Sequence, residues 1–480
     1  MNRSIDKLES GAFAFLGTAT IVSVLAAFKT ELYYLALIPF GLMIAYLAVV
    51  NFKLLYFFLL TTIPFSIEYS FSGSLGTDLP DEPLMIGLMF VTIIFVFTNY
   101  KSLPTGFFGN LLIVLLCIHL FWIFISAVSS VNVLVSLKHF LAKTWYVTTF
   151  CLLTAILIKT KDDLKAAFWC VFIPMTVMII QVIIRHGLKN FSFDEINEPM
   201  MPFFRNHVNY AAIVSIVFPL ILLARTWYGK GTFKRRVLNF SVLLYIVAIY
   251  LSYTRTCYIA LLMLLPVYFV IRFKMMKPAV LIAAIGAIIC IGYLFTNNNY
   301  LKYAPEFEET IIHDEFGQHL SSTFEGKDVS SMERVYRWVA ATRMFKAHPW
   351  MGFGPGNFYP HYKSYTLASF ETYVSDNPER SSTHNYALML LTEQGTIGLS
   401  IFILLTVVIF AYGERIYHQA KGVQNKRIVM ALLLMLTMVF VNLTLSDMLE
   451  SDKVGPFFFI GIALLATMDI RNRSLEAKGE

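Results

Sequence analysis

Arginines, a histidine and a glycine-rich turn gather in the polar interval from about Thr296 to His384 of this 480-residue chain. Arg334, Arg337 and Trp338 fall in one short run. His348 and Pro349 follow, then Gly352, Gly354, Gly356, Asn357 and Phe358. The interval closes on Ser381, Ser382, Thr383, His384 and Asn385 and runs straight back into an apolar segment. Arginine stays charged and offers a planar fork of donors to phosphate or carboxylate oxygens. Histidine has an ordinary pKa near 6.5, so a neutral ring able to accept a proton is available around pH 7. Two further arginines stand beside apolar runs elsewhere. Arg255 lies among the hydroxyls of Ser252, Tyr253, Thr254 and Thr256, and Arg205 lies just before His207 and Asn209.

What must position these groups is mostly hydrocarbon. Hydrophobic residues make up 57% of the chain and charged residues 14%, and the mean hydropathy is +0.65. Soluble proteins carry about 25% charge, so a set of soluble domains is excluded. Apolar runs recur near 11–28, 31–50, 52–67, 84–98, 107–128, 143–158, 166–184, 208–225, 237–253, 257–272, 278–296, 386–412, 428–445 and 454–469, against the ~20 residues a bilayer helix needs. The fold class expected is an all-α polytopic membrane protein of about 12–14 transmembrane helices with one large extracytoplasmic loop. Four parts are expected: N-terminal helices over 1–200, core helices over 201–296, the loop over 297–385, and C-terminal helices with a tail over 386–480. The first apolar run is kept as a span because no small-residue cleavage site follows it.

The net charge of +7 does not indicate nucleic acid, because the basic residues are scattered among loops between spans. Numbered from a cytoplasmic N-terminus, Lys53, Lys101, Lys159, Lys161, Arg225, Arg235, Arg272, Arg415 and Arg471 all fall on one side. The opposite loops carry Glu68, Asp78, Asp81, Glu82, Asp447, Glu450 and Asp452. Basic loops stay cytoplasmic, so both termini are expected inside and the 297–385 loop outside. The five cysteines sit in or beside apolar runs without paired spacing and read as small core residues.

Within the loop, Val335, Trp338, Val339, Thr342 and Phe345 have helical spacing, which predicts a helix over 331–347 capped by Ser330 or Ser331 and ended by Pro349. Arg334 and Trp338, four apart, share a face. The run 386–412 exceeds one straight span, and Gly395 to Gly398 is where it should break. His313, Asp314, Glu315 and His319 are metal-ligand types, but their spacing fits no standard helical site. Ser381 and Ser382 beside His384 lack the Gly-x-Ser-x-Gly turn of a hydrolase nucleophile.

With these residues in view, the sequence resembles the O-antigen ligase and O-antigen polymerase superfamily of bacterial membrane enzymes. The likeness rests on Tyr253-Thr254-Arg255, on Arg334 with Trp338, on His348-Pro349 through Gly352-Phe353-Gly354, and on His384-Asn385 with Glu393-Gln394-Gly395 behind them. Asn209, after Arg205, resembles the family's asparagine at the start of an earlier span. The likeness covers roughly 200–400, in the family's order. It implies metal-independent glycosyl transfer without a cofactor, from an undecaprenyl-diphosphate-linked glycan to a hydroxyl of a glycan, lipid A core or other acceptor. The implied location is the bacterial inner membrane, among membrane lipids. It also implies that His384, Arg255 and Arg334 are catalytic, and that Arg255, Arg334, Arg337 and Arg205 hold the diphosphate. The residues alone leave other readings open. Arg255 could snorkel to lipid phosphates, Arg334 and Arg337 could occupy a solvated helix face, and His384 could only cap a helix. A lipid-linked sugar transporter would need charges within several spans and an internal repeat. Few such charges and no such repeat are seen.

Overall fold

The computed structural model describes residues 2–31, 35, 38–72, 75–297, 299, 329–367, 371, 375–377 and 381–477. The chain is an all-α polytopic membrane fold. Its first three helices are α1 (Asn2–Thr30), α2 (Ile38–Val50) and α3 (Phe52–Thr62). A hairpin follows, β1 (Ile67–Ser72) with β2 (Leu75–Leu79), in which Glu68 pairs directly with Asp78. Next come α4 (Asp81–Thr98), α5 (Leu111–Val128), α6 (Val133–Leu157, carrying a π-turn over Val147–Leu152) and α7 (Lys161–Gly187). The central stretch is α8 (His207–Ala224), α9 (Phe233–Tyr250), α10 (Arg255–Arg272) and α11 (Met276–Phe295). The loop helix α12 (Val329–Ala347) precedes α13 (Tyr386–Gln419), α14 (Val423–Leu443) and α15 (Gly455–Ala477).

Each of the fourteen apolar runs coincides with a helix. Among the described residues, nine helices are long and apolar enough to span a membrane by length and composition. Helices α2 and α3 are shorter than that, as is the apolar part of α1 (Gly17–Thr30). Helices α9 and α15 fall short because Lys234, Arg235 and Arg236, or Asp469 and Arg471, load one end of each with charge. The hairpin is the main departure from the expected architecture: the run at 52–67 stops being helical at Phe65 and turns into β1.

Helices α8, α14 and α15 are the most enclosed and form the centre, while α11 is unburied beyond Met276 and faces outward. A single apolar core runs from Leu55 to Ala466. A second, smaller core of Tyr336, Val339, Met344, Phe353, Phe358 and Tyr362 belongs to the loop region alone.

Two local predictions can be checked directly. Helix α13 breaks at Gly395, whose φ of 68° and ψ of −170° lie outside helical space. Helix α12 is described from Val329, so the backbone of Ser330 and Ser331 is already helical rather than at the cap position. Serine is tolerated there because its intrinsic helix penalty is small.

Candidate functional site

The glycine turn is the joint between loop and bundle. Phe353 N–H donates to Thr392 O (2.9 Å), Gly354 N–H to Glu393 O (2.8 Å) and Thr396 N–H to Pro349 O (2.8 Å). These bonds use the backbone groups freed by the α13 break, which would otherwise be buried without partners. A Cβ on Gly395 would stand 2.1 Å from Trp350 O, and one on Gly352 would stand 2.4 Å from the Glu393 carbonyl carbon. Both residues also have positive φ, so only glycine suits the contact. The Glu393 carboxylate accepts from Gly356 N–H (2.9 Å) and Phe358 N–H (3.1 Å). This turn is therefore an anchor.

The anchored loop closes over a cavity of about 890 Å³ at its end of the bundle. Arg334, His384 and Arg205 line it, together with Ser381, Ser382, Asn206 and Asn209. The hairpin (Glu68 and Asp78) and the α14–α15 connection (Asp447, Glu450, Asp452 and Lys453) also contribute to its lining.

His384 reaches the cavity through a backbone with φ of +49°, a left-handed conformation uncommon for a residue with a side chain. Asn385 follows as the N-cap of α13, its side chain accepting from Leu388 N–H (2.9 Å) and donating to Thr444 O (2.9 Å). Capping therefore falls to Asn385, which leaves the imidazole to the cavity. Among the described residues nothing hydrogen-bonds its ring. Burial, then the positive charges of Arg337 and Arg334, hold the His384 pKa down to about 3. The ring is neutral and sits in the field of two guanidinium groups.

Arg334 and Trp338 share a face of α12 as expected: Arg334 meets the cavity while Trp338 Nε1–H donates to Thr383 O (2.8 Å), tying the helix to the His384 segment. Arg337 is placed differently. It is buried, Nη2 lies 3.4 Å from Glu333 Oε2, and Glu333 Oε1 in turn accepts from Ser375 Oγ (2.8 Å). It acts on His384 through its charge rather than by lining the cavity. Arg205 lines the mouth and pairs with Glu68 at 3.3 Å, both largely exposed. Arg255 begins α10 and does not line the cavity. Cys257, two residues on, donates to Asn442 Oδ1 (3.3 Å) near the end of α14, which keeps Arg255 at the same end of the bundle.

Several site groups have no counterpart in the motifs. Ser382 Oγ donates a hydrogen bond to Asp447 Oδ2, tying the loop's last turn to the α14–α15 connection. Burial pushes the Asp447 carboxyl up, against that bond. Glu450 accepts from Lys143 Nζ (2.6 Å) and Tyr386 OH (2.9 Å), and His139 Nε2 lies 3.4 Å away. Burial alone would raise its pKa, but Lys143 and His139 hold the carboxyl well below the usual range. The only advance signal for these acids was their gathering in loops on the arginines' side. Among the described residues no three histidine, cysteine or carboxylate side chains converge to hold a metal ion. The His313–His319 ligand types lie outside the described residues.

Fold and site together define a polytopic membrane protein with a polar cavity lined by arginines, a histidine and carboxylates from the loop and the neighbouring connections. The sequence profile of the family described as O-antigen ligase matches residues 240–403. That stretch carries Arg255, Arg334, Arg337 and His384, and the match supports a membrane glycan-processing enzyme of the O-antigen ligase and polymerase type. No curated protein matches the chain.

Proposed function

We propose that the protein transfers a glycan from an undecaprenyl-diphosphate carrier to an acceptor hydroxyl, at the outer face of the bacterial inner membrane, with both termini cytoplasmic and the loop periplasmic. The observation that carries this reading is that His384 and Arg334 line one large cavity, with Arg337 buried on the same helix as Arg334. In the reaction, the acceptor oxygen bonds to the anomeric carbon as the bond from that carbon to the diphosphate oxygen breaks. The hydroxyl proton goes to His384, and the lipid diphosphate leaves as an anion. Arg334, with Arg205 at the mouth and Arg255 nearby, stabilises the charge that builds on the leaving group.

A base with a pKa near 3 is weak, because proton transfer is most effective near the working pH. The donor supplies the remedy. Its diphosphate, bound at the arginines, offsets the electrostatic part of that depression, which is smaller than the part due to burial, and an anion nearby raises a histidine pKa. His384 thus gains basicity when the donor is seated. Ligase and polymerase versions of the reaction share this chemistry and differ in the acceptor.

The test is purified protein in lipid with an undecaprenyl-diphosphate glycan, a panel of hydroxyl acceptors and a chelator. Transfer is expected, and His384→Ala should lower it by about 10²–10⁴-fold, the usual worth of a general base. Arg255→Ala and Arg334→Ala should also suppress it, with normal expression. Labelled lipid crossing the bilayer without transfer to any acceptor would replace this reading with a transporter.

A further inference from the structure

The cavity is not uniformly basic. Among the described residues five carboxylates and three cationic side chains line it. Three of the acids have cations of their own: Glu68 has Arg205, Glu450 has Lys143, and Asp452 has Lys453 at 2.8 Å. Asp78 has no such ion pair among the described residues. It lies directly across the hairpin from Glu68, and its own N–H donates to the Glu82 carboxylate (3.3 Å). Like charges placed opposite each other on a hairpin are destabilising. A local conflict of that kind marks a place where a fold gives up stability for a ligand.

A second group at the same wall also lacks a partner. Ser66, immediately before β1, is only 2% exposed and lines the cavity. Its carbonyl accepts from Lys453 Nζ (3.0 Å), but its hydroxyl oxygen has no hydrogen bond within the described residues. Buried hydroxyls are nearly always bonded, so this one is expected to meet a bound polar group.

Building on the glycosyl-transfer reading above, we propose that Asp78, with Glu68 opposite and Ser66 behind, forms the acceptor subsite, and that the acceptor presents an unphosphorylated sugar there. The hydroxyls of a sugar are donors, and carboxylates are acceptors with about four lone-pair sites. A phosphate on the same sugar would add negative charge where Asp78, Glu82, Asp452 and Glu68 already crowd together, the kind of repulsive contact that excludes wrong partners. The two walls then have separate tasks. Arg334 and His384 face the donor's diphosphate and the reacting hydroxyl, and the hairpin holds the sugar that carries that hydroxyl. The hairpin lies outside the segment 240–403 that carries Arg334 and His384, and the Arg205–Glu68 pair joins the two groups.

The experiment uses the full chain in proteoliposomes, with an undecaprenyl-diphosphate oligosaccharide as donor and two glycolipid acceptors that differ only by a phosphate on the terminal sugar. The unphosphorylated acceptor should have a kcat/KM about tenfold higher or more, as expected for like-charge exclusion. Asp78→Asn should narrow that ratio and raise the acceptor KM without changing the donor KM. Ser66→Ala, a smaller change, should raise the acceptor KM alone. Equal use of the two acceptors, or an unchanged ratio in Asp78→Asn, overturns the proposal. Binding of the two free oligosaccharides to donor-free proteoliposomes, followed by saturation-transfer NMR, separates the two levels of the argument. A preference for the unphosphorylated sugar without any transfer supports the subsite and sinks the transfer reading. Transfer with no preference does the reverse.

Discussion

The two ends of the helical bundle carry the same kinds of charged groups and treat them in opposite ways. At the loop end Lys143, Lys453 and Arg337 are buried, each against a carboxylate: Glu450, Asp452 and Glu333. At the other end Lys159, Lys161 and Arg471 surround a smaller cavity of about 240 Å³ and are exposed. Exposed bases at a membrane surface need no partner beyond water and lipid phosphates. Buried ones cost several kcal/mol of desolvation unless they are well paired. The number of charges at an end is therefore a poor guide to function, and their burial is the better one.

The sharpest way to break this comparison is to remove a buried cation. Lys143→Ala would leave Glu450 with Tyr386 OH and His139 but without its ion pair. Glu450 retains 24% exposure, so the loss should sit at the low end of the buried-pair range, about 3 kcal/mol. A lowered unfolding temperature in detergent would register it, and Lys143→Met combined with Glu450→Gln should recover most of it. If Lys143→Ala proves as harmless as Lys161→Ala, the burial argument fails.

That pair also shows what a sequence can and cannot disclose. The apolar runs, the break at Gly395 and the shared face of Arg334 and Trp338 were legible because each is written in neighbouring residues. The likeness to the ligase superfamily led to Arg334 and His384 by the same local route. The Lys143–Glu450 bond joins residues 307 apart, and Ser382 meets Asp447 across 65. No periodicity encodes such meetings; they follow from which helix ends the packing brings together. The hairpin was read only as an acidic outer loop, since its short strands are partly polar. Arg337 and Arg334 looked alike on one helix, and only Glu333 and Ser375 decide that Arg337 is held inside.

The pH dependence offers a second test, of moderate size. His384, held down to about 3, is neutral in the free protein throughout the range where an ordinary histidine titrates. The profile of kcat/KM, which reports the free enzyme, should therefore show no histidine limb near pH 6.5. The profile of kcat, which reports the donor-bound state, should show its acid limb at higher pH, because the diphosphate offsets Arg334 and Arg337. A limb near 6.5 in both profiles would refute the depressed ring. Stability carries two opposite signatures. The folded protein resists protonating His384 while the unfolded chain does not, so the His384 contribution is lost as pH falls from about 6.5 towards 3. Asp78 works the other way. Burial, then Asp452 and Glu82, push it up to about 7, so its contribution is lost as pH rises from the usual carboxylate range through 7. Asp78→Asn should reduce the second trend and leave the first.

The smallest expected effect compares two exposed ion pairs, one at each end. Arg205 pairs with Glu68 at the cavity mouth (3.3 Å), and Lys165 pairs with Asp162 in the first turn of α7 (2.8 Å). Exposed pairs contribute about 0–1 kcal/mol, so Arg205→Ala and Lys165→Ala should both leave thermal stability nearly unchanged. Their difference should lie in function alone. Arg205 lines the cavity where a diphosphate would enter, and losing one charge-assisted hydrogen bond of about 1.5–3 kcal/mol should raise the donor KM by at least about tenfold. Lys165→Ala should leave KM as it is, because nothing at that end touches the cavity. A Lys165→Ala variant that weakened the donor as much as Arg205→Ala would mean that the ends differ only in burial, and that the cavity is not where the donor binds.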